Sequence, residues 1–308
     1  MKEIQLFYTK LFSAQNTEIG SFDLENILKN SEFRQLSNIE SAKLEGELKL
    51  EELNKVLYKM KNNKSPGVDG FPAEFFKVFW GKLKYFVLRA LNSAFTSGRM
   101  SVTMRTCVIN CLPKGDKPRE FLKNWRPISL LSVLYKLASA VIADRLKSVL
   151  PFIILTAQNG FLEGRYIGDC TRLVYDLMQY LEHNNLIGQL MLVDFQKAFD
   201  SVSWNFLNRV LKLFNFGNEF CKWINIFNTD IEAFVLQSGF LSKPIQIKRG
   251  CRQGDPIAAY LFLICAQILY LLFHNNPNIK GISIHDNNYK MTQFADDITI
   301  FLMEVRTL

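Results

Sequence analysis

Three aspartates stand where carboxylate chemistry is possible. Asp194 closes the apolar run Leu190-Met-Leu-Val193, and Asp296 and Asp297 sit side by side in Phe294-Ala-Asp-Asp-Ile-Thr-Ile-Phe301. A lone Asp at a strand end is most often a cap or turn residue. Two adjacent ones flanked by apolar strand residues ask for more: like charges about 4 Å apart repel by roughly 1–4 kcal/mol, depending on the effective dielectric. A cation offsets that repulsion, and without one a carboxylate pKa rises. Oxygen-rich sites select hard ions, Mg²⁺ above all where phosphates complete the shell. Successive strand side chains point to opposite faces, so only a tight turn lets Asp296 and Asp297 approach one ion. On that basis Asp296 is expected as a full ligand and Asp297 as a peripheral one. With Asp194 alongside, the set would suit two-metal phosphoryl transfer. The alternative is a structural acidic hairpin. Asp200, six residues beyond Asp194, reads as a cap for the following helix.

Two further segments carry charge or glycine in useful patterns. Lys114, Lys117, Arg119, Lys123 and Arg126 are opposed by Asp116 and Glu120. Such a stretch is usually a solvated loop. With Trp125 and Pro127 fixing one end it could instead hold a triphosphate, Arg126 through its planar fork and Lys114 as a point charge. In Arg249-Gly-Cys-Arg-Gln-Gly-Asp-Pro256 the glycines allow close backbone approach to a ligand, and the helix start that follows favours negative charge. The chain contains no GxxxxGK[ST], GxSxG or HExxH, and His183, His274 and His285 form no cluster. Cys107 and Cys111 make a C-x₃-C pair without a second pair nearby, which reads as buried core cysteines rather than zinc ligands.

The elements that must position these residues follow from periodicity and punctuation. Leu44, Leu48, Leu50, Leu53, Val56 and Leu57 fall mainly three or four apart, giving a helical arm over residues 1–60. Pro72 opens a helix that Gly98 ends. A short strand is expected from Thr106 to Leu112, a long helix from Ser129 to Leu150, a Gly-rich turn region over 156–169 and a helix over 171–183. Leu190–Val193 has the pattern of a strand buried on both faces. Ser203 can cap the helix WNFLNRVLKLF. Residues 231–248 suggest a hairpin around Gly239. Asp255 and Pro256 are expected as N-cap and first residue of an apolar helix over 256–273. Residues 290–302 read as two strands around Ala295-Asp296-Asp297. This element order indicates an α/β layer with helices on one face of a sheet.

Composition bounds the answer. The 308 residues are 48% apolar, which excludes a disordered chain. Lys plus Arg exceeds Asp plus Glu by 37 − 29, a net charge of +8 that favours a polyanionic partner. Six scattered cysteines read as reduced thiols of an intracellular protein, in the nucleus or cytoplasm. MKEIQLFYTKLF at the N-terminus lacks the apolar core of a secretory signal. The most apolar stretch, 258–273, is shorter than the roughly 20 residues that span a bilayer, so a buried helix and no membrane partner are expected.

Taken in order, these segments resemble a reverse transcriptase of the non-LTR (LINE-type) retrotransposon kind. The likeness covers nearly the whole chain: KMKNNKSPGVDGFPAEFFKVFW at 59–80, LPKGDKPREFLKNWRPISLLSVLYK at 112–136, NGFLEGRYIGD at 159–169, LVDFQKAFDSVSW at 192–204, GFLSKPIQIKRGCRQGDP at 239–256 and FADD at 294–297. Group II intron and retron enzymes share the Asp pattern but are less similar elsewhere. The resemblance implies an RNA-directed DNA polymerase with a right-hand shape. Residues 1–60 would be a helical arm, 61–189 the fingers and 190–308 a palm with an RRM-like sheet. The chain stops 11 residues after Asp297, so the last palm helix and strand and the thumb are expected to be missing. By the same resemblance Asp194, Asp296 and Asp297 are the catalytic metal-binding carboxylates, for Mg²⁺ or Mn²⁺. Lys114 and Arg126 hold the incoming dNTP, and Phe199 is the bulky residue under the sugar that excludes a 2′-hydroxyl. Gln253 and Gly254 line the nucleotide pocket, and Gly160 and Arg165 lie near the template. The partners implied are an RNA template and a DNA primer. Phe294 stands where Tyr is commoner, and Asn159, Glu163 and Ala258-Ala259 replace the usual Thr, Pro and Ser-Pro. The alternative is a catalytically inactive relic that at most binds nucleic acid.

Overall fold

The computed structural model describes residues 1–14, 24 and 33–303; the rest of the expected arm at 15–32 lies outside the described residues. The chain opens with α1 (Lys2–Phe12), α2 (Asn38–Ala42) and α3 (Leu50–Lys59). Ser37 and Glu40 form a reciprocal capping box at the start of α2. In α3 the three-and-four spacing turns Leu53, Val56 and Leu57 inward, as their periodicity requires. Then come α4 (Ala73–Ser97), α5 (Val102–Arg105), β1 (Thr106–Pro113), β2 (Trp125–Leu130), α6 (Val133–Lys147), α7 (Leu150–Ile153) and α8 (Ile167–His183). Pro72 and a left-handed Gly98 bound α4 as the sequence predicts. The remainder is β3 (Gly188–Asp194), α9 (Ala198–Ser201), α10 (Trp204–Leu213), α11 (Asn218–Asn228), β4 (Ile231–Gln237), β5 (Phe240–Leu241), β6 (Ile245–Ile247), α12 (Ala258–Asn275), β7 (Ile282–Ile284), β8 (Asn287–Tyr289), β9 (Met291–Phe294) and β10 (Asp297–Met303).

The strands form three sheets and a mixed α/β fold. The first runs β2-β1-β4-β5, with β6 also on β4; β1 is antiparallel to β2 and parallel to β4. The parallel pair joins residues 106–110 to 232–236, so this sheet draws on both halves of the chain. The second sheet is β3-β10-β9, antiparallel throughout, and the third is the β7-β8 ribbon. One large core cluster reaches from Tyr8 to Leu271 and unites the arm helices with the first sheet, α6, α11 and α12. Only small clusters support the second sheet: Met291, Ile298 and Ile300, and separately Leu177, Ile282 and Phe301. The arm is pinned to α6 by Arg145. Its guanidinium donates in bidentate fashion to Glu52 at 2.7 and 2.8 Å and also to the carbonyls of Leu44, Glu45, Gly46 and Glu47.

Four expectations change on folding. The helix expected from Ser129 begins only at Val133: Ser129 and Leu130 belong to β2, and Ser132 caps α6 by accepting from the Tyr135 amide. Leu190–Val193 is a strand, but not one buried on both faces; Leu192 is 74% exposed, because among the described residues β3 is an edge strand paired with β10 alone. Asp255 does not stand directly before the apolar helix. That helix, α12, starts at Ala258 after Ile257; the Asp255 carboxylate accepts from the Ile257 amide at 3.3 Å, as a capping residue would, and is also drawn into a buried polar cluster. Asp200 is not a cap either, since Ser203 caps α10 and Asp200 is buried inside α9. Among the described residues α12 is the one helix long and apolar enough to cross a membrane, and half of that stretch is buried inside the molecule.

Candidate active site

The antiparallel register of β3 and β10 sets Asp194 directly opposite Asp297. Side chains so opposed share a sheet face, with Cβ atoms about 4.5–5.5 Å apart. Register therefore gives Asp194 the second of the two adjacent aspartates as its partner. Asp296 lies in the two-residue turn between Phe294 and Asp297, after Ala295, whose φ is +57°. Positive φ at the first turn position alone is the type II′ pattern, where glycine is usual. A residue with a Cβ there costs about 1–3 kcal/mol and must be held by its surroundings. Burial raises the pKa of Asp296, and the charges of Asp297 and Asp194 raise it further, whereas Lys114 opposes them. The three carboxylates thus lie within one another's field. They do not form a closed cage: among the described residues no three Asp, Glu, His or Cys side chains gather around one metal position. The chemistry of the donor set still fits a hard divalent cation. It is carboxylate only, its mutual repulsion calls for positive charge, and Mg²⁺ is commonly held by one or two carboxylates with substrate phosphates completing the shell.

The loop 249–256 is tied by backbone contacts to α9, just after Asp194, and to β2 of the first sheet. The Cys251 amide donates to the Phe199 carbonyl at 2.7 Å, and the Ser129 amide donates to the Gln253 carbonyl at 2.7 Å. Gly254, at φ +106°, passes so close to β2 that a Cβ would meet the Ser129 carbonyl oxygen at 2.7 Å. This packing sets Gln253 and Gly254 between the segment after Asp194 and the strand that carries Arg126. The Phe199 ring stacks on Phe262 of α12 with centroids 4.3 Å apart and meets Phe161 edge-on. Arg126 is exposed on β2 opposite Leu112, and the Lys114 amide donates to the Asn124 carbonyl at 2.8 Å, closing the β1–β2 connection. A cavity of about 730 Å³ opens beside the aspartates, with Phe195, Gln196, Ala198, Phe262 and Asp296 among its walls; Lys114 and Arg126 are not part of its lining.

Several residues outside the expected catalytic and nucleotide-binding set hold the site together. Lys197, in a left-handed conformation, donates from Nζ to the Trp125 carbonyl at 2.5 Å and so ties the segment after Asp194 to β2. Burial lowers its pKa and Lys114 lowers it further, against the pull of Asp200. Asp200 is 1% exposed with Oδ2 unpartnered, and burial pushes its carboxyl up to about 7 despite Lys197, Lys114 and Arg249. Beneath the 249–256 loop the buried Arg252 donates to the Tyr135 hydroxyl, which donates to Asp255 at 2.5 Å; Ser139 donates to the same carboxylate. Arg165 is spent on the fold: its guanidinium donates to the carbonyls of Ile154, Leu155 and Gln158 at 2.6–2.7 Å. Gly160 packs on the hairpin itself, where a Cβ would meet the Ala295 amide nitrogen at 2.5 Å. Gly160, Arg165, Asp200, Arg252 and Asp255 carried a sequence signal, though for other roles; Lys197, Tyr135 and Ser139 are ordinary polar residues until folding surrounds them.

Residues 112–307 match the family model described as reverse transcriptase (RNA-dependent DNA polymerase). The chain belongs to the reverse transcriptase family. It is 32% identical over 270 residues to the transposon TX1 uncharacterized 149 kDa protein of Xenopus laevis, covering 88% of this chain and 21% of that protein. It is 26% identical over 262 residues to the Pol polyprotein of the type-1 retrotransposable element R1 of Bradysia coprophila, covering 83% of this chain and 24% of that one. A probable RNA-directed DNA polymerase from transposon BS of Drosophila melanogaster is 27% identical over 222 residues, covering 70% of this chain and 24% of the relative. The likeness is thus to reverse transcriptases of non-LTR retrotransposons, and the chain spans about a fifth to a quarter of these relatives' length. The matched region holds all three aspartates, Lys114, Arg126, Phe199 and the 249–256 loop. Enzymes of this family use divalent metal ions.

Proposed function

We propose that this chain carries the nucleotidyl-transfer site of an RNA-directed DNA polymerase, adding deoxynucleotides to a DNA primer on an RNA template. The observation that carries the reading is the pairing of Asp194 with Asp297 across β3 and β10, with Asp296 in the adjoining turn and in the field of both. The β3-β10-β9 sheet acts as the palm and the β1–β2 connection as part of the fingers. Asp194 and Asp297, with Asp296 beside them, would hold the divalent cation, Mg²⁺ or Mn²⁺. When bound, such ions supply charge neutralisation at the triphosphate and a more acidic primer hydroxyl.

The chain's own residues do the rest. Lys114 and Arg126 bind the triphosphate, Arg126 through two parallel donors and Lys114 as a charge already felt at Asp296. Gln253 and Gly254 line the nucleotide pocket, held against β2 by the Ser129–Gln253 backbone bond and by the close approach of Gly254 to Ser129. Phe199, held by its stack on Phe262, meets the sugar edge and excludes a 2′-hydroxyl. The test is primer extension on an RNA template with Mg²⁺ and dNTPs, comparing wild type with Asp297→Asn and Asp194→Asn. Each single replacement should lower incorporation at least about 100-fold, the scale of losing electrostatic stabilisation at a reacting group. Equal rates in variant and wild type would remove the assigned roles. Salt-sensitive RNA binding with no incorporation by wild type would leave a nucleic-acid-binding relic instead.

A further inference from the structure

The turn that carries Asp296 cannot hold its shape alone. Ala295 sits at φ +57°, a region disfavoured for any residue with a Cβ, and the sheet beneath it is supported by only small apolar clusters. One buried side chain grips this residue from outside the hairpin. Gln158, 2% exposed, accepts from the Ala295 amide at 2.8 Å through Oε1 and donates to the Ala295 carbonyl at 3.1 Å through Nε2. Both main-chain groups of the strained residue are thereby satisfied by one carboxamide. The same Oε1 accepts from the Gly160 amide at 2.9 Å, which fixes its orientation.

The segment around Gln158 is itself anchored to β9. The Gln293 amide donates to the Ala157 carbonyl at 2.7 Å, and the Asn159 amide donates to the Gln293 carbonyl at 2.8 Å. Arg165 fastens the Gln158 carbonyl from the other side at 2.6 Å. Gly160 lets this segment lie flat against Ala295. We propose that Gln158 is a positioning residue for the Asp296–Asp297 turn, setting through Ala295 the direction in which the turn presents its carboxylates. It touches no reacting atom. The inference rests on the reading of these aspartates as cation ligands.

The test uses the whole chain and Gln158→Met, which keeps the length of the side chain and removes its hydrogen bonds to Ala295, to the Gly160 amide and to Gln293. Amide exchange by NMR should show Ala295 and Asp296 exchanging roughly 10- to 100-fold faster, with Val235 in the main sheet unchanged. Mn²⁺ alone serves as probe: the concentration that broadens the Asp297 signal should rise about tenfold. Unchanged exchange at Ala295, equal acceleration at Val235, or an unchanged Mn²⁺ requirement would each overturn the proposal. Should Gln158→Met not fold, Gln158→Glu decides: it keeps the size of the side chain and sets an oxygen, in place of the Nε2 donor, against the Ala295 carbonyl, so the same local loss is expected and unaltered protection refutes the proposal. Absence of Mn²⁺ broadening at Asp194 and Asp297 in wild type would defeat the cation reading, and the exchange measurement would then decide the clamp by itself.

Discussion

At the scale of single residues, the site depends on charges kept where water would normally dissolve them. Asp200 shows the cost most plainly. Its carboxyl is raised by burial to about 7, with Lys197, Lys114 and Arg249 facing it and Tyr8 and Cys251 also in its field. Between pH about 4 and about 7 the folded chain keeps a proton that the unfolded chain has released. Stability should therefore fall as pH rises through that window, by up to about 4 kcal/mol from this group. Asp200→Asn should remove that slope. Urea unfolding at pH 5 and pH 8 checks it, and an unaltered slope in the variant would refute the assignment. Phe199 permits a second test. Because its ring is stacked on Phe262, shortening it costs packing as well as selectivity. The ratio of kcat/KM for ribo- and deoxynucleotides is insensitive to the fraction folded. Phe199→Val should raise that ratio at least about tenfold, the smallest change that steric relief of a hydroxyl would give.

At the scale of elements, the protein separates a well-packed frame from a lightly packed working sheet. The Tyr8–Leu271 core holds the frame, whereas β3 leaves Leu190, Met191 and Leu192 exposed along the sheet edge. Two side chains bridge elements that the chain separates widely. Arg145 ties α6 to the arm through Glu52 and four carbonyls, so Arg145→Ala removes an ion pair and takes the donor from the part-buried carbonyls of Leu44 and Glu45. A loss of about 3 kcal/mol is expected from denaturant unfolding. A change below about 0.5 kcal/mol, the size of a surface substitution, would mean that the arm does not depend on it. Lys197 joins the segment after Asp194 to β2 by a single bond to the Trp125 carbonyl. Lys197→Met should raise KM for the nucleotide more than it lowers kcat, because it loosens the contact with β2 and leaves the aspartates in place. A loss confined to kcat would contradict that division.

At the scale of the molecule, net charge decides the long-range behaviour. A chain of +8 that neutralises phosphates should bind an RNA–DNA duplex with steep salt dependence. About six phosphate contacts would cost about 10³ in affinity between 50 and 200 mM salt. Binding that does not change with salt would mean that the excess charge is not on the nucleic-acid face.

Much of this was readable from composition and spacing, because those signals are local. Pro72 and Gly98 bounded α4, the three-and-four leucine spacing marked α3, and Ser203 marked the start of α10. Phe-Ala-Asp-Asp between apolar runs identified the hairpin and its carboxylates. What the sequence alone could not decide was partnership. Apolar content made Leu190–Val193 look internal, but burial depends on neighbouring strands, and among the described residues β3 has only β10. Asp200 and Asp255 looked like caps because Asp usually is one; the tertiary structure enclosed the first with one oxygen unpartnered and gave the second, besides its bond from the Ile257 amide, to Tyr135 and Ser139. Gln158 carried no signal at all, since a carboxamide becomes a clamp only when a backbone 137 positions away is folded against it. Strand identity follows from the residues themselves, whereas register, burial and the pairing of Asp194 with Asp297 exist only once distant segments share the same space.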